Sequence, residues 1–423
     1  MTVLLAVAVV AAGYLGPRPT PSPSPSPAPS LLAEGPTQAP ATTSPSGPVP
    51  RSIDAFSGLT PVQLLPGQVV QSWLPQQITS QTPAIIGLRL FYVVQSSEVE
   101  SSLIGSADDP QTLVRAARCE AINQLAAAGH ELAYVVTSPA GPTAQIAGCE
   151  GSAVSWSVWL LDLNGGRPRQ VASGVRQPGS IDVAEFPIHL ALTATAFAFD
   201  RPPATARGGA GETVEVHSID GSLLWTSQTQ TPVDDVLLGG GRLAILTQGE
   251  PSAAGLRDLW LSDATHPAPM EVAQPVGSAS FSPDGSYLAW DLPPGAGGAD
   301  LMYQSAVGIE ALDTGRVVAL NARTSTETSE PIRPDVSMTK AGPAIAWFAT
   351  SPEGAVYPAF RFAGGGDGGY LLSGRAPVWM HIDGSMLVWV AESPDGWSNE
   401  AFAVELLALA SDGADRPAGL PIG

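Results

Sequence analysis

The side chains that could perform chemistry are few and scattered along the chain. The five histidines are His130, His189, His217, His266 and His381. No two of them share one loop, so we expect each to be a core or solvated side chain rather than a metal ligand. The chain has no G-x-S-x-G elbow, H-E-x-x-H helix motif, P-loop or EF-hand loop. We therefore expect no catalytic residue, no cofactor and no metal site.

Two pairs of carboxylates and one glycine run are the remaining candidates. Asp108–Asp109 and Asp234–Asp235 carry the oxygen ligands that Ca²⁺ prefers, although we expect them to be solvated turn residues. Gly364–Gly369 contains five glycines and is expected to be a flexible loop. It is not followed by a helix or by the Lys-Ser/Thr pair of a phosphate-binding loop.

The only two cysteines, Cys119 and Cys149, are candidates for a disulfide. Outside the cytoplasm this pairing is the default. It would close a loop of about 30 residues and stabilise the fold by roughly 3 to 4 kcal/mol on the chain-entropy model. The alternative is a pair of buried free thiols.

Composition limits what kind of protein can position these residues. The 423-residue chain is 44% hydrophobic and 14% charged, which allows a large core and excludes global disorder. Its net charge of −20 argues against binding to nucleic acid or to an anionic membrane surface through bulk charge. No segment shows the apolar periodicity of a long amphipathic helix, so an all-β architecture is favoured.

The amino-terminal region predicts an exit signal followed by a stalk. Residues 1–16 are apolar and uncharged but shorter than the roughly 20 residues that span a bilayer. They are read as a signal or anchor segment, or as a transmembrane helix truncated by a late start codon; a buried strand or helix is the alternative. Residues 17–50 contain 12 prolines and predict a disordered, extended Pro/Ser-rich linker. A plain disordered tail is the alternative.

One pattern recurs seven times in residues 51–423: a turn residue, two variable positions, an aliphatic or aromatic residue, a small residue and a large apolar one. The copies begin at Gly87, Gly129, Ala194, Gly240, Gly285, Gly342 and Gly384. Repeats of 40 to 50 residues in a β-rich chain indicate propeller blades. The small residue predicts close contact between neighbouring sheets, and it is alanine at Ala133, Ala198, Ala244, Ala289 and Ala346.

Each copy is expected to be the second strand of a four-stranded blade. Asp284–Gly285 and Asp383–Gly384 predict type I′ turns between the first and second strands. Third strands are expected from Ser157, Glu212, Asp258, Ala306, Pro358 and Ala401. The last blade lacks a fourth strand, and Pro61–Leu74 is predicted to supply it and close the ring. The fold class is thus an all-β propeller of about seven four-stranded blades, with six or eight still open.

The string Phe281-Ser-Pro-Asp-Gly-Ser-Tyr-Leu-Ala-Trp290 resembles the repeat of the TolB-like, WD40-like (PD40-type) bacterial β-propellers. Weaker copies at Gly129, Gly342 and Gly384 agree with this resemblance. The resemblance implies an extracytoplasmic protein that serves binding or scaffolding.

The loops after the second strands predict a partner surface on one face of the disc. Its candidate residues are Pro139, Pro352, Pro394, Asp395 and Trp397. Trp159, Trp260, Trp290, Trp347 and Trp389 are instead expected in the blade core.

Together these features predict a non-catalytic binding, sensing or scaffold module on the extracytoplasmic side of the cell membrane, or secreted if the first segment is cleaved. Its partner would be a protein or cell-envelope component, with membrane contact only through the amino terminus. The alternative is a propeller enzyme that acts on carbohydrate or uses a quinone cofactor.

Overall fold

The computed structural model describes the greater part of residues 83–406 and two shorter segments before them. The described residues are 54–55, 70–74, 83–87, 89–94, 98–103, 106–138, 154–176, 188–201, 211–249, 257–292, 305–312, 316–322, 334–339, 342–350, 356–362, 367–369, 377–384, 386–392 and 399–406. Their regular secondary structure is β-strand throughout. Within these ranges no helix is long and apolar enough to cross a bilayer. The predicted anchor 1–16 and linker 17–50 lie outside the described residues, so they stay predictions.

The described strands form seven sheets that follow one another along the chain. Sheet 1 consists of β3 (Ala84–Ile86), β4 (Arg89–Val94), β5 (Glu98–Leu103) and β6 (Ser106–Arg115). Sheet 2 consists of β7 (Ala121–Ala128), β8 (Glu131–Ser138), β9 (Val154–Asp162) and β10 (Arg169–Arg176). Sheet 3 consists of β11 (Leu190–Leu192), β12 (Ala196–Arg201), β13 (Thr213–Ser218) and β14 (Leu223–Gln228). Sheet 4 consists of β15 (Val233–Gly239), β16 (Arg242–Gln248), β17 (Arg257–Asp263) and β18 (Met270–Val276). Sheet 5 consists of β19 (Ala279–Phe281), β20 (Tyr287–Leu292), β21 (Ser305–Ala311), β22 (Arg316–Ala322) and β1 (Asp54–Ala55). Sheet 6 consists of β23 (Asp335–Thr339), β24 (Gly342–Thr350), β25 (Val356–Phe362) and β26 (Asp367–Gly369). Sheet 7 consists of β27 (Pro377–Asp383), β28 (Met386–Glu392), β29 (Asn399–Glu405) and β2 (Val70–Leu74).

Each sheet is an antiparallel meander in which the strands follow chain order from the first strand outward. Sheet 7 departs from this order, because its outermost strand is β2 from the amino-terminal side, paired antiparallel with β29 from Val70↔Ala403 to Leu74↔Asn399. The predicted closing strand in Pro61–Leu74 is therefore confirmed. Sheet 5 has five strands rather than the predicted four, because Asp54–Ala55 adds in parallel to β22.

The first strands of the sheets contact one another in succession around a ring. β3 contacts β7, β7 contacts β11, and the series continues through β15, β19 and β23 to β27, which contacts β3 again. Seven clusters of buried side chains lie between successive sheets, one at each junction. The core of this all-β propeller is thus divided among the junctions.

The repeat pattern maps onto the second strands. All seven copies lie at β4, β8, β12, β16, β20, β24 and β28. The five predicted alanines are each 0% exposed, so each one lies at full contact between neighbouring sheets as expected. A larger side chain there would force the sheets apart.

Two local predictions were wrong. The Asp–Gly turns are not type I′ with both residues at positive φ, because Gly285 and Gly384 have positive φ but Asp284 and Asp383 do not. The Asp284 carboxylate instead accepts hydrogen bonds from the Ser282 hydroxyl (2.7 Å) and the Ser286 amide (3.1 Å), which closes a longer loop. Part of the Gly364–Gly369 run is not a loop, because Asp367–Gly369 pairs with β25 as β26.

Candidate functional site on the loop face

The two ends of the strands carry very different connections. First and second strands are joined by two to five residues, and the end where they meet is called the turn face. Second and third strands are joined mostly by longer segments, and the opposite end, from which these leave, is called the loop face. These segments are 95–97, 139–153, 202–212, 249–256, 293–304, 351–355 and 393–398.

Neighbouring sheets align their turns at the same end. Gly240, at φ +54°, approaches the Asp284 carbonyl so closely that a Cβ could not fit between them. The Asp383 carboxylate accepts the Gly87 amide across the junction of sheets 7 and 1 (3.1 Å), and the Ser337 hydroxyl accepts the Gly384 amide across that of sheets 6 and 7 (3.0 Å).

The predicted partner-surface residues belong to the loop-face connections. Pro139, Pro352, Pro394, Asp395 and Trp397 all lie outside the described residues, so this surface stays a prediction. Cys119 lies in the turn before β7 at φ +73°. Cys149 also lies outside the described residues, so the disulfide stays a prediction too.

A buried histidine–aspartate pair lies at the loop-face end of sheet 3. The His189 amide donates to Asp200 Oδ1 (2.5 Å), and His189 Nδ1 is 3.3 Å from Asp200 Oδ2. Burial lowers the pKa of His189, but the carboxylate of Asp200 outweighs burial, and Asp235 and Asp234 act in the same direction. The net result raises the pKa of His189 from 6.5 to about 9.

Asp234 and Asp235 are not solvated turn residues, because both lie in β15. Arg257 of β17 donates through Nε to Asp234 and through Nη1 to the carbonyl of Gly277, which lies in the connection between sheets 4 and 5. Burial raises the pKa of Asp235, and the charges of His189 and Arg257 oppose that rise. This network therefore links sheets 3, 4 and 5, and its charged groups already interact with other residues of the chain. Asp108 and Asp109 likewise lie in a strand, β6, rather than in a turn.

Carboxylates that bind backbone amides were not anticipated from the sequence. Asp291 in β20 accepts the Gly277 amide (2.7 Å) and the Ser278 amide, which holds the start of β19. Asp200 occupies the equivalent position in β12. The signal for both was present, because an Asp directly follows the Ala-aromatic pair of the repeat in these two copies.

His381 is paired across a junction rather than isolated. Its Nδ1 lies 2.7 Å from Asp335 Oδ2, and the same oxygen accepts the Ile382 amide (2.8 Å). Burial lowers the pKa of His381, but Asp335 outweighs burial and the pKa rises.

A fourth polar cluster lies where sheets 2 and 3 meet. Arg201 donates to both carboxylate oxygens of Glu215 (Nε 2.5 Å, Nη2 3.2 Å), and His217 Nε2 lies 3.0 Å from the same carboxylate. The hydrogen bond from His217 is the largest cause that lowers the pKa of Glu215 to about 2, against the effect of burial. The Arg201 guanidinium lies 5.3 Å from the Trp156 ring centroid.

Trp156 is also part of the lining of a cavity of about 290 Å³ at the loop-face end of sheet 2. Thr137, Ser138, Ser157 and Gln170 supply hydroxyl and amide groups to it. Such a lining can form hydrogen bonds with a polar ligand over an aromatic side chain. The described residues of this lining include no histidine, lysine or cysteine that would pair with a serine nucleophile.

The predicted core tryptophans lie in strands as expected. Trp290, Trp347 and Trp389 are buried, while Trp159 and Trp260 are half-buried. The indole N–H of Trp260 donates to Thr247 (2.9 Å), and that of Trp159 donates to Ser157 (2.8 Å).

No protein-family model matches the chain, and no curated protein matches it significantly. Solved structures do resemble it. The β-propeller domain of the Trilobed protease from Pyrococcus furiosus is 9% identical with a TM-score of 0.49, over 79% of this chain and 97% of that one. The acylaminoacyl peptidase of Pyrococcus horikoshii is 10% identical with a TM-score of 0.48, over 79% of this chain and 54% of that one. PorZ, a surface component of the type-IX secretion system of Porphyromonas gingivalis, is 13% identical with a TM-score of 0.44, over 79% of this chain and 39% of that one.

The chain thus spans about half of the peptidase chain and less than half of PorZ. Its own strand order and the closed contacts of its first strands identify the described part of the chain as an all-β propeller.

Proposed function

We propose that the chain is an extracytoplasmic, membrane-tethered propeller that binds a protein or cell-envelope component through its loop face, without catalysis. Residues 1–16 would anchor it, residues 17–50 would hold it away from the bilayer, and each of the seven sheets would be one blade of a TolB-like ring. The proposal that the chain is tethered to a membrane rests on the apolar start and the Pro/Ser-rich stretch of the sequence.

The observation that carries the binding role is the asymmetry between the two ends of the strands. The turn face has connections of two to six residues, whereas the loop face has connections such as 139–153 and 293–304. Long segments on a rigid scaffold are where proteins place their recognition residues.

The charged groups at the described part of the loop face support binding rather than catalysis. Asp200, Asp234 and Asp291 each accept a hydrogen bond from a backbone amide beside a strand or from an arginine. A general base or nucleophile must be available to its substrate, whereas these groups hold neighbouring strands in place.

Site-specific photo-crosslinking in cells tests the binding face. A photoreactive residue at position 397 or 352 should give a discrete adduct with one partner. Asn164 and Thr265 are exposed on the turn face and provide matched control positions that should give none. Equal adducts from both faces, or adducts from the turn face alone, would contradict the proposal.

A fusion after Gly423 tests the location separately. A phosphatase that needs disulfides to fold should be active when fused there, and it should lose activity when residues 1–16 are deleted. Activity that is absent from the intact fusion would contradict the extracytoplasmic location without affecting the binding face.

A further inference from the structure

Two carboxylates oppose each other on the turn face of sheet 2. Glu131, the first residue of β8, pairs directly with Asp162, the last residue of β9. Directly opposed residues of an antiparallel pair place their side chains on the same side of the sheet, and like charges there are destabilising. A cation bound between these two groups would offset the repulsion.

The equivalent position in sheet 4 holds a pair of opposite charge. There Arg242, the first residue of β16, pairs with Asp263, the last residue of β17, so the opposed charges attract. In sheet 3 the same position holds Ala196 opposite Ser218, without charge. In sheet 2 the residue of the third strand is again an aspartate, but the residue of the second strand is Glu131 instead of an arginine.

Among the described residues no arginine or lysine forms an ion pair with either carboxylate. Arg169 is near enough to act on Glu131 electrostatically, but its guanidinium donates to the carbonyls of Ile219 and Asp220, in the turn between β13 and β14. The Glu131 side chain is only 9% exposed and forms no hydrogen bond with a described residue, and its closest ionic neighbour is His130 Nε2 at 3.6 Å.

His130 completes a set of three metal-ligand types. One ligand atom from each of His130, Glu131 and Asp162 lies within 4.8 Å of the other two. Ligands on a tetrahedral ion with bonds of about 2.0 to 2.1 Å stand roughly 3.4 Å apart. The His130 side chain is 57% exposed, so its ring can swing through the remaining distance without disturbing the core.

We propose that His130, Glu131 and Asp162 bind a divalent transition-metal ion of the zinc class on the turn face of sheet 2. One imidazole nitrogen and two carboxylate oxygens suit Zn²⁺, with water in the open position next to the exposed His130. Ca²⁺ and Mg²⁺ prefer all-oxygen sites and are expected to bind more weakly. The ion would offset the Glu131–Asp162 repulsion and join β8 to β9.

Isothermal titration of the tag-free, chelator-treated full chain with ZnCl₂ tests the site. The wild type should bind one equivalent. His130→Ala and Asp162→Asn should each weaken binding at least as much as the roughly 10- to 100-fold loss known for outer-shell changes, because a direct ligand is altered. CaCl₂ should give a weaker signal.

Histidine and aspartate also lie together on the turn face of sheet 4, which offers a matched control. His266 is exposed and its Nδ1 is 3.4 Å from Asp263, but no second carboxylate joins them within the described residues. His266→Ala should leave zinc binding unchanged. Zinc binding that is lost in His266→Ala and kept in His130→Ala would overturn the assignment.

Glu131→Arg gives a readout that does not depend on titration. It recreates in sheet 2 the Arg–Asp pair of sheet 4, so the metal-free variant should melt at a higher temperature than the metal-free wild type. Added ZnCl₂ should raise the melting temperature of the wild type but not that of the variant. The proposal fails if zinc leaves the wild-type melting temperature unchanged, or if it shifts both proteins equally.

Discussion

The pairing of His189 with Asp200 should make the stability of the propeller depend on pH in the neutral to alkaline range. Because the pKa of His189 is raised from 6.5 to about 9, folding favours the charged imidazole. The resulting stabilisation is fully present below pH 6.5, and it is lost as the pH rises through 9.

A shift of this size corresponds to roughly 3 kcal/mol in the free energy of unfolding. By the same linkage relation about 2 kcal/mol should remain at pH 7.5 and almost none at pH 9.5. Asp200→Asn is the perturbation of choice, because an asparagine oxygen can still accept the His189 amide while the negative charge is removed.

The assay is urea denaturation of wild type and Asp200→Asn at pH 6.0, 7.5 and 9.5. The groups around His189 are Asp200, Asp234, Asp235 and Arg257, and the raised pKa of Asp235 also lowers stability as the pH rises. Asp235→Asn measures that contribution separately. The other histidines are common to both proteins, so the difference between the two pH profiles isolates the pair. Parallel profiles for wild type and Asp200→Asn would refute the reasoning.

Three further outcomes can be checked by denaturation. Glu215, with its pKa lowered from 4.5 to about 2, stabilises the fold above pH 4.5, and this stabilisation is lost as the pH falls toward 2. Glu215→Gln should therefore flatten the acid limb of the plot of unfolding free energy against pH. An unchanged acid limb would contradict the role of Arg201 and His217. Trp389 is 0% exposed between sheets 6 and 7, so Trp389→Ala should cost about 3 to 5 kcal/mol, whereas Leu224→Ala at a 54% exposed outer-strand position should change stability by less than about 0.5 kcal/mol. Deletion of residues 1–76 removes β1 and β2 and should destabilise the protein, whereas deletion of residues 1–60 removes only the two-residue β1 and should destabilise it much less; equal stability of the two truncated proteins would mean that Val70–Leu74 does not close sheet 7.

The fold was predictable because its main signal is local and repeated. A second strand between two sheets needs large apolar residues on both faces and a small one where the sheets touch, so Ala133 and Ala289 marked their junctions in the sequence. The closing strand was predictable because the last repeat has no fourth strand of its own in the sequence. The Asp–Gly turns were misread because the Asp284 side chain can cap a five-residue loop, an arrangement that the dipeptide does not distinguish from a tight hairpin.

The polar pairs were not predictable in the same way, because their partners come together through the sheet register. Asp335 and His381 are far apart in the chain and meet only because sheet 6 packs against sheet 7. Glu131 and Asp162 could have been found, since the first residue of the second strand opposes the last residue of the third strand in six of the seven described sheets. That inference needed strand boundaries more exact than periodicity alone supplies.

The described junctions between sheets combine apolar packing with hydrogen bonds that cross from one sheet to the next. Each junction has its own apolar cluster, and several are reinforced by a side chain that reaches a backbone group of the next sheet, as Asp335 reaches the Ile382 amide. In a related hydrogen bond, the Val233 amide donates to the Glu212 carboxylate (2.9 Å) and holds sheets 3 and 4 together at the loop-face end itself. Within the described part of the chain, these bonds use strand residues and their immediate neighbours, so they are set by the same strand register that forms the apolar clusters.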